Sequence, residues 1–120
     1  MTDPNAVAAW VAGYQKAWTS NSPDDIRAIF TDDASYSGRP KDERSWVGIA
    51  AIVDGWIAHA DEPGSFTFDW HPVALEGDTA VVQAAVAYSG DTTWDDIWVI
   101  IFAPDGRARE FTEWPIARQW

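Results

Sequence analysis

The sequence predicts an α+β domain in which helices come first and pack against one face of a curved antiparallel sheet. Two observations predict this. Apolar residues recur at helical spacing through the first half of the chain, and near Phe66 the period shortens to that of strands. Turn-forming triplets, Glu76-Gly77-Asp78, Ser89-Gly90-Asp91 and Pro104-Asp105-Gly106, then divide the second half into consecutive runs.

The first helix opens on Asp3, a capping residue, with Pro4 at the first helical position. Val7, Trp10, Val11, Tyr14 and Trp18 share one face of it. Ser22-Pro23-Asp24-Asp25 opens a second, short helix, with Ser22 as cap and Asp25 where a capping-box acid belongs. Ile26, Ile29 and Phe30 form its buried stripe. A short extended piece, Ala34–Gly38, follows, and residues 39–45 read as a loop. A third helix begins near Gly48, with Ile49, Ile52, Val53, Trp56 and Ile57 on one face, and ends at residues 61–65. Residues 66–75, 79–88, 93–102 and 107–114 read as four strands. Ile97–Phe102 is apolar on both faces, so this strand is covered on both sides. Helices cover one face. The other calls for a partner subunit, and a homodimer is expected.

The 120 residues suffice for one domain spanning 1–120, and no repeat or linker divides them. The nine tryptophans suit either an aromatic core or a pocket walled by flat surfaces. A formal net charge of −11 with no basic cluster argues against nucleic acid and against anionic membrane surfaces. With no cysteine there is no disulfide, thiol nucleophile or zinc–thiolate site. The N-terminal stretch lacks the basic and apolar regions of an export signal, so a cytoplasmic location is the default expectation.

Four short motifs in order resemble the nuclear transport factor 2-like superfamily, especially its bacterial SnoaL-like and ketosteroid-isomerase-like members. They are Tyr14-x-x-x-Trp18, Ile29-Phe30-Thr31-Asp32-Asp33-Ala34, Gly48-Ile49-Ala50-Ala51-Ile52, and Asp105-Gly106-Arg107 with Glu110-Phe111-x-Glu113-Trp114. The resemblance covers nearly the whole chain. It implies an NTF2-like, cystatin-like cone: a strongly curved sheet wrapped around helices, with a cavity open at one end. Members of the superfamily include ketosteroid isomerases, epoxide hydrolases, polyketide cyclases and dehydratases, and others only bind a ligand or a protein. Tyr14 matches the oxyanion-donating tyrosine of the isomerases. Their general-base aspartate falls near Gly38 and is absent here, and their second oxyanion donor falls on Trp98. The Arg-x-Asp pair of the epoxide hydrolases is missing from Trp94–Phe102. The resemblance therefore implies neither an ordinary isomerase nor an epoxide hydrolase.

Strand alternation puts Glu113 on the same face as Phe111. Facing inward, its carboxyl is desolvated and becomes an acid or base. Facing outward, it is a surface acid paired with Arg109 or Arg107. Tyr14 is either a hydrogen-bonded core tyrosine or an oxyanion donor beside Glu113. Trp18, Trp56 and Trp98 are expected as cavity walls, joined by Phe30, Tyr36 and Phe111. Asp96 shares parity with Trp94 and Trp98 and looks toward the cavity mouth, with Asp95 outward; the simpler reading of both is a solvated acid. His59, about one turn after Trp56, approaches the mouth. His59 and His71 lack metal-ligand spacing, so no metal is expected, and no cofactor fingerprint is present. Asp32 and Asp33 read as turn formers.

Two functions from different classes follow. One is cofactor-free acid–base catalysis of the isomerase, dehydratase or cyclase type on an apolar or aromatic small molecule, with Glu113 and Tyr14 as the catalytic pair. The other is a non-catalytic ligand-binding protein or dimeric scaffold. An open cavity holding both residues favours the first, and a cavity plugged by tryptophans the second.

Overall fold

A computed structural model describes residues 2–62, 64–89 and 92–118. Helix α1 spans Pro4–Ser20, α2 Pro23–Arg27 and α3 Ile49–Ala58. The strands are β1 Phe30–Ser37, β2 Trp46–Val47, β3 Phe66–Glu76, β4 Thr79–Tyr88, β5 Thr93–Phe102 and β6 Ala108–Ala117. They form one six-stranded sheet in the order β2-β1-β6-β5-β4-β3. The last four strands make the expected antiparallel meander. The sheet as a whole is mixed, because β1 lies parallel to β6. That joint closes the curve. It brings Tyr36 beside Phe111, and so within reach of Glu113.

Local chemistry accounts for the frame. The Asp3 carboxylate accepts from the amide of Ala6 at 2.8 Å, and Asn21 ends α1 in the left-handed region at φ 51°. Ser22 caps α2 without a side-chain hydrogen bond, so the expected capping box does not form. Asp25 instead accepts from the Ser20 hydroxyl at 2.7 Å and sits 3.5 Å from Lys16. β1 begins at Phe30, earlier than expected, because Ala108 pairs with Phe30 across the parallel joint. β2 lies just beyond the stretch read as loop. Pro72 is tolerated because β3 is an edge strand, and a register shift follows it. The expected turn at Ser89-Gly90-Asp91 falls partly outside the described residues.

The core sits between α1, α3 and the concave face of the sheet. Its hub is Trp10, whose indole donates to the Ile29 carbonyl at 2.8 Å. The ring meets Phe30, Trp98 and Phe102 edge-on at 5.9 to 6.3 Å. Trp98, Ile100, Phe102 and Phe111 bury the inner positions of β5 and β6. Ile97, Val99 and Ile101 take the outer positions and are partly exposed. Among the described residues no helix is long and apolar enough to cross a membrane.

Candidate functional site

The mouth of the curved sheet holds a cavity of about 520 Å³. Tyr14 and Trp18 reach it from α1, Tyr36 from β1, Trp46 from β2, and Trp56 and His59 from α3 and its cap. Val86 and Tyr88 come from β4, Trp94, Asp96 and Trp98 from β5, and Glu113 and Pro115 from β6. Ala60 and Asp61 close the ring between α3 and β3. Alternate residues of β4 and β5 point the same way, which is why Trp94, Asp96 and Trp98 line it together.

Two hydrogen-bonded groups organise the wall. In the first, the Tyr36 hydroxyl donates to Glu113 Oε1 at 3.0 Å. Tyr36 has one proton and has used it, so at 2.9 Å the Tyr14 hydroxyl donates to Tyr36. Tyr14, Tyr36 and Glu113 thus form a relay from helix to last strand. In the second, Asp61 Oδ2 accepts from the Trp18 indole at 2.9 Å and from the Tyr88 hydroxyl at 3.0 Å. Asn21 anchors this group: its amide donates to the Asp61 carbonyl at 3.3 Å, and its side-chain oxygen accepts from the Trp56 indole at 3.2 Å. One asparagine therefore ends α1, ties it to α3 and fixes a cavity carboxylate.

Gly55 sets the far wall. Any side chain there would run into the Trp46 indole, so only glycine lets that ring lie across α3. The His59 ring is tilted against Trp46 at 5.9 Å. His59 Nδ1–H donates to the Gly55 carbonyl at 2.9 Å, which leaves Nε2 as an acceptor when the ring is neutral.

Electrostatics distinguish two carboxyls. Burial first, then the negative charges of Asp96 and Asp61, push Glu113 up to about 7, against the pull of the Tyr36 hydrogen bond. Burial pushes Asp96 up to about 6, with the nearby Trp98 indole offsetting part and Asp95 adding repulsion. Burial and the Glu113 charge hold the Tyr14 and Tyr36 phenols well above their usual range, so both stay protonated donors. Asp96 is 5% exposed, yet neither its Oδ1 nor Trp98 Nε1 has a hydrogen-bond partner among the described residues. Among those residues, no three histidine, aspartate or glutamate side chains could hold a metal ion.

Of the residues expected at a site, Glu113, Tyr14, Trp18, Tyr36, Trp56, His59, Asp96 and Trp98 converge on this cavity. The outward reading of Glu113 fails, since Arg109 pairs with Glu110 and Arg107 with Asp105 and Asp32. Asp96 is likewise no solvated acid. Phe30 and Phe111 are corrected: both are 0% exposed and stand behind the wall, Phe111 with its ring 4.8 Å from that of Tyr36. They shape the site without lining it. Asp61, Trp46, Tyr88 and Trp94 line it although they were not singled out as site residues. Strand parity could have found Tyr88 and Trp94. Nothing periodic marks Asp61 or Trp46, which follow a helix and a loop.

A profile of the SnoaL-like domain matches residues 7–114. The chain belongs to the SnoaL-like domain family. Solved structures similar to this SnoaL-like chain share its fold. An NTF-2-like protein of unknown function from Burkholderia xenovorans superposes with a TM-score of 0.75 at 16% identity, covering 97% of this chain and 87% of its own. Another from Mesorhizobium loti gives 0.70 at 17% identity, covering 96% of each chain. A steroid delta-isomerase from Pseudomonas aeruginosa gives 0.63 at 19% identity, covering 98% of this chain and 82% of its own. No curated protein sequence matches the chain. In this SnoaL-like cone Gly38 lies exposed beyond the end of β1, and its amide donates to Asp42 at 3.1 Å.

Proposed function

We propose that this protein binds an apolar or aromatic small molecule in the tryptophan-walled cavity and performs cofactor-free acid–base chemistry on it, with Glu113 as the base. The observation that carries this reading is the Glu113 carboxyl on the cavity wall, held by the Tyr36–Tyr14 relay. A carboxyl titrating at about 7 can both accept and return a proton near neutrality.

The relay gives the step a direction. Ionised Glu113 takes a proton from the substrate, and negative charge develops on a substrate oxygen. Protonated Glu113 no longer needs the Tyr36 donor. Tyr36 can then turn its proton toward Tyr14, and Tyr14 its own toward the oxyanion. Glu113 returns the proton at a second substrate atom, which completes an isomerisation, or a leaving hydroxyl departs with it as water, which completes a dehydration. An open cavity holding both Glu113 and Tyr14 supports this over the scaffold alternative.

Turnover of a panel of small ketones, epoxides and polycyclic phenols tests it. Wild type should turn over at least one with a pH dependence near 7, and Glu113→Gln should abolish that activity while the protein stays folded. Undiminished turnover by Glu113→Gln contradicts the assignment.

We also propose that the outer sheet face pairs with a second copy of the chain. Val81 and Trp114 flank Val99 and Ile97 there in register, and Ile116 is 57% exposed. Sedimentation equilibrium should give a dimer; a monomer at micromolar concentration refutes it.

A further inference from the structure

We infer that the cavity selects a protonated organic amine carried on a hydrophobic frame, with the ammonium group seated between Asp96 and Glu113. This rests on the reading of the cavity as the ligand site, but not on Glu113 performing a reaction.

The first observation is an imbalance of charge. Asp61, Asp96 and Glu113 line the cavity, and no lysine or arginine does. Six of the chain's eight lysines and arginines pair elsewhere, and the other two, Lys41 and Arg44, do not line the cavity. Lys16, Arg27, Arg39, Arg107, Arg109 and Arg118 all pair with carboxylates outside the cavity. Buried charges in proteins are normally paired. Here no lysine or arginine on the wall supplies a positive partner.

The second is the state of Asp96. Asp96 is 5% exposed, and its Oδ1 and the neighbouring Trp98 Nε1 both lack a partner of good geometry among the described residues, although that indole lies close enough to offset part of the burial. A buried acceptor without a donor is uncommon and costly. Asp61 differs, since two donors already satisfy its Oδ2. Asp96 lines the cavity diagonally across the β5–β6 ladder from Glu113, so the two carboxyls share one stretch of wall.

The third is the wall itself. Five tryptophans and three tyrosines line the space. Aromatic faces attract a cation within about 6 Å, more strongly where water is excluded. They attract no anion. A bare divalent ion fits poorly, because no three ligating side chains converge among the described residues. An amine uses both features at once: N–H donors for the carboxylates and a positive centre for the rings.

The raised pKa values of Glu113 and Asp96 agree with this. Both reflect burial first, with the charge of Asp96 adding to Glu113 and that of Asp95 to Asp96, and a bound ammonium would oppose both shifts. Binding should then release protons near neutrality. The groups facing Glu113 are Asp96, Asp61, His59 and the Tyr14, Tyr36 and Tyr88 phenols, with no lysine or arginine among them.

The test is calorimetric titration of the full chain with three probes of one shape: phenethylammonium, neutral 2-phenylethanol and anionic phenylacetate. The ammonium should bind about tenfold or more tightly than the alcohol, and phenylacetate weakest. Its affinity should rise as pH rises through about 7. Asp96→Asn and Glu113→Gln, each checked for folding by thermal melting, should lose the preference. Asp95→Asn should keep it, because Asp95 lies outside and pairs with Arg118. An alcohol or carboxylate that binds as tightly as the ammonium overturns the inference alone. So does a preference that survives both cavity substitutions, since that is attraction to an acidic surface. Failure of all three probes to bind overturns the inference and the binding reading together. A cation preference without turnover of any substrate leaves the inference standing and removes the proposed chemistry.

Discussion

On β5, Asp95 faces the outside of the sheet and Asp96 the cavity, one residue apart. Arg118 grips Asp95 with Nε at 3.0 Å and Nη2 at 2.6 Å, and those bonds hold its carboxyl below the usual range. Asp96 meets tryptophan instead, and burial lifts it to about 6. β6 repeats the pattern: Glu110 lies outside, 3.6 Å from Arg109, and Glu113 lies inside at about 7. The residue type is the same on both faces. The pleat decides whether a carboxyl gets a cation or an apolar wall, and only the wall brings its pKa toward neutrality.

The contrast should show most strongly at Phe111. Phe111→Ala removes a fully buried ring behind the cavity wall and should cost about 3–5 kcal/mol in denaturant unfolding. Glu110→Ala, on the outer face, should leave the midpoint close to wild type. Equal losses would erase the distinction between the faces. Next comes Glu113→Gln. The folded pKa of about 7 exceeds the ordinary 4.5, so the unfolded chain loses this proton first. The contribution of Glu113 to stability therefore falls as pH rises from 4.5 through about 7. The glutamine variant should lose that slope and gain on the order of 2 kcal/mol above it. A loss of stability at neutral pH would contradict the desolvated reading.

Asp96→Asn should act in the same direction with a smaller gain, on the order of 1 kcal/mol. Its window runs from 3.8 through about 6. Asp95→Asn gives the smallest effect and the opposite sign. Its depressed pKa contributes stability above 3.8 that is lost as pH falls through the folded value. Replacing it should reduce stability slightly at neutral pH, and added salt should hide the difference. Melting curves across pH for both variants separate the two signs.

The helices and the meander were legible because apolar periodicity and turn residues are local signals. The shared face of Glu113 and Phe111 was legible from strand parity, but whether that face turned inward was left open by the sequence. The parallel joint of β1 with β6 was not legible, since it pairs segments more than seventy residues apart and leaves no local pattern. Two consequences of it were hidden too: that Tyr36 stands between Tyr14 and Glu113, and that Phe30 and Phe111 retreat behind the wall. Asp61 was unreadable because its role comes from donors on α1 and β4, far from it in sequence. Gly55 gave no sign either, because its need is for the space that Trp46 occupies.

Site-specific carboxyl NMR titration of Glu113 in the full chain tests the central claim most directly. A midpoint near 7, moving down when Asp96→Asn removes the negative charge that raises it most, is the predicted result. A midpoint at or below the ordinary 4.5, unmoved by that substitution, would contradict it and leave the cavity without its acid–base group.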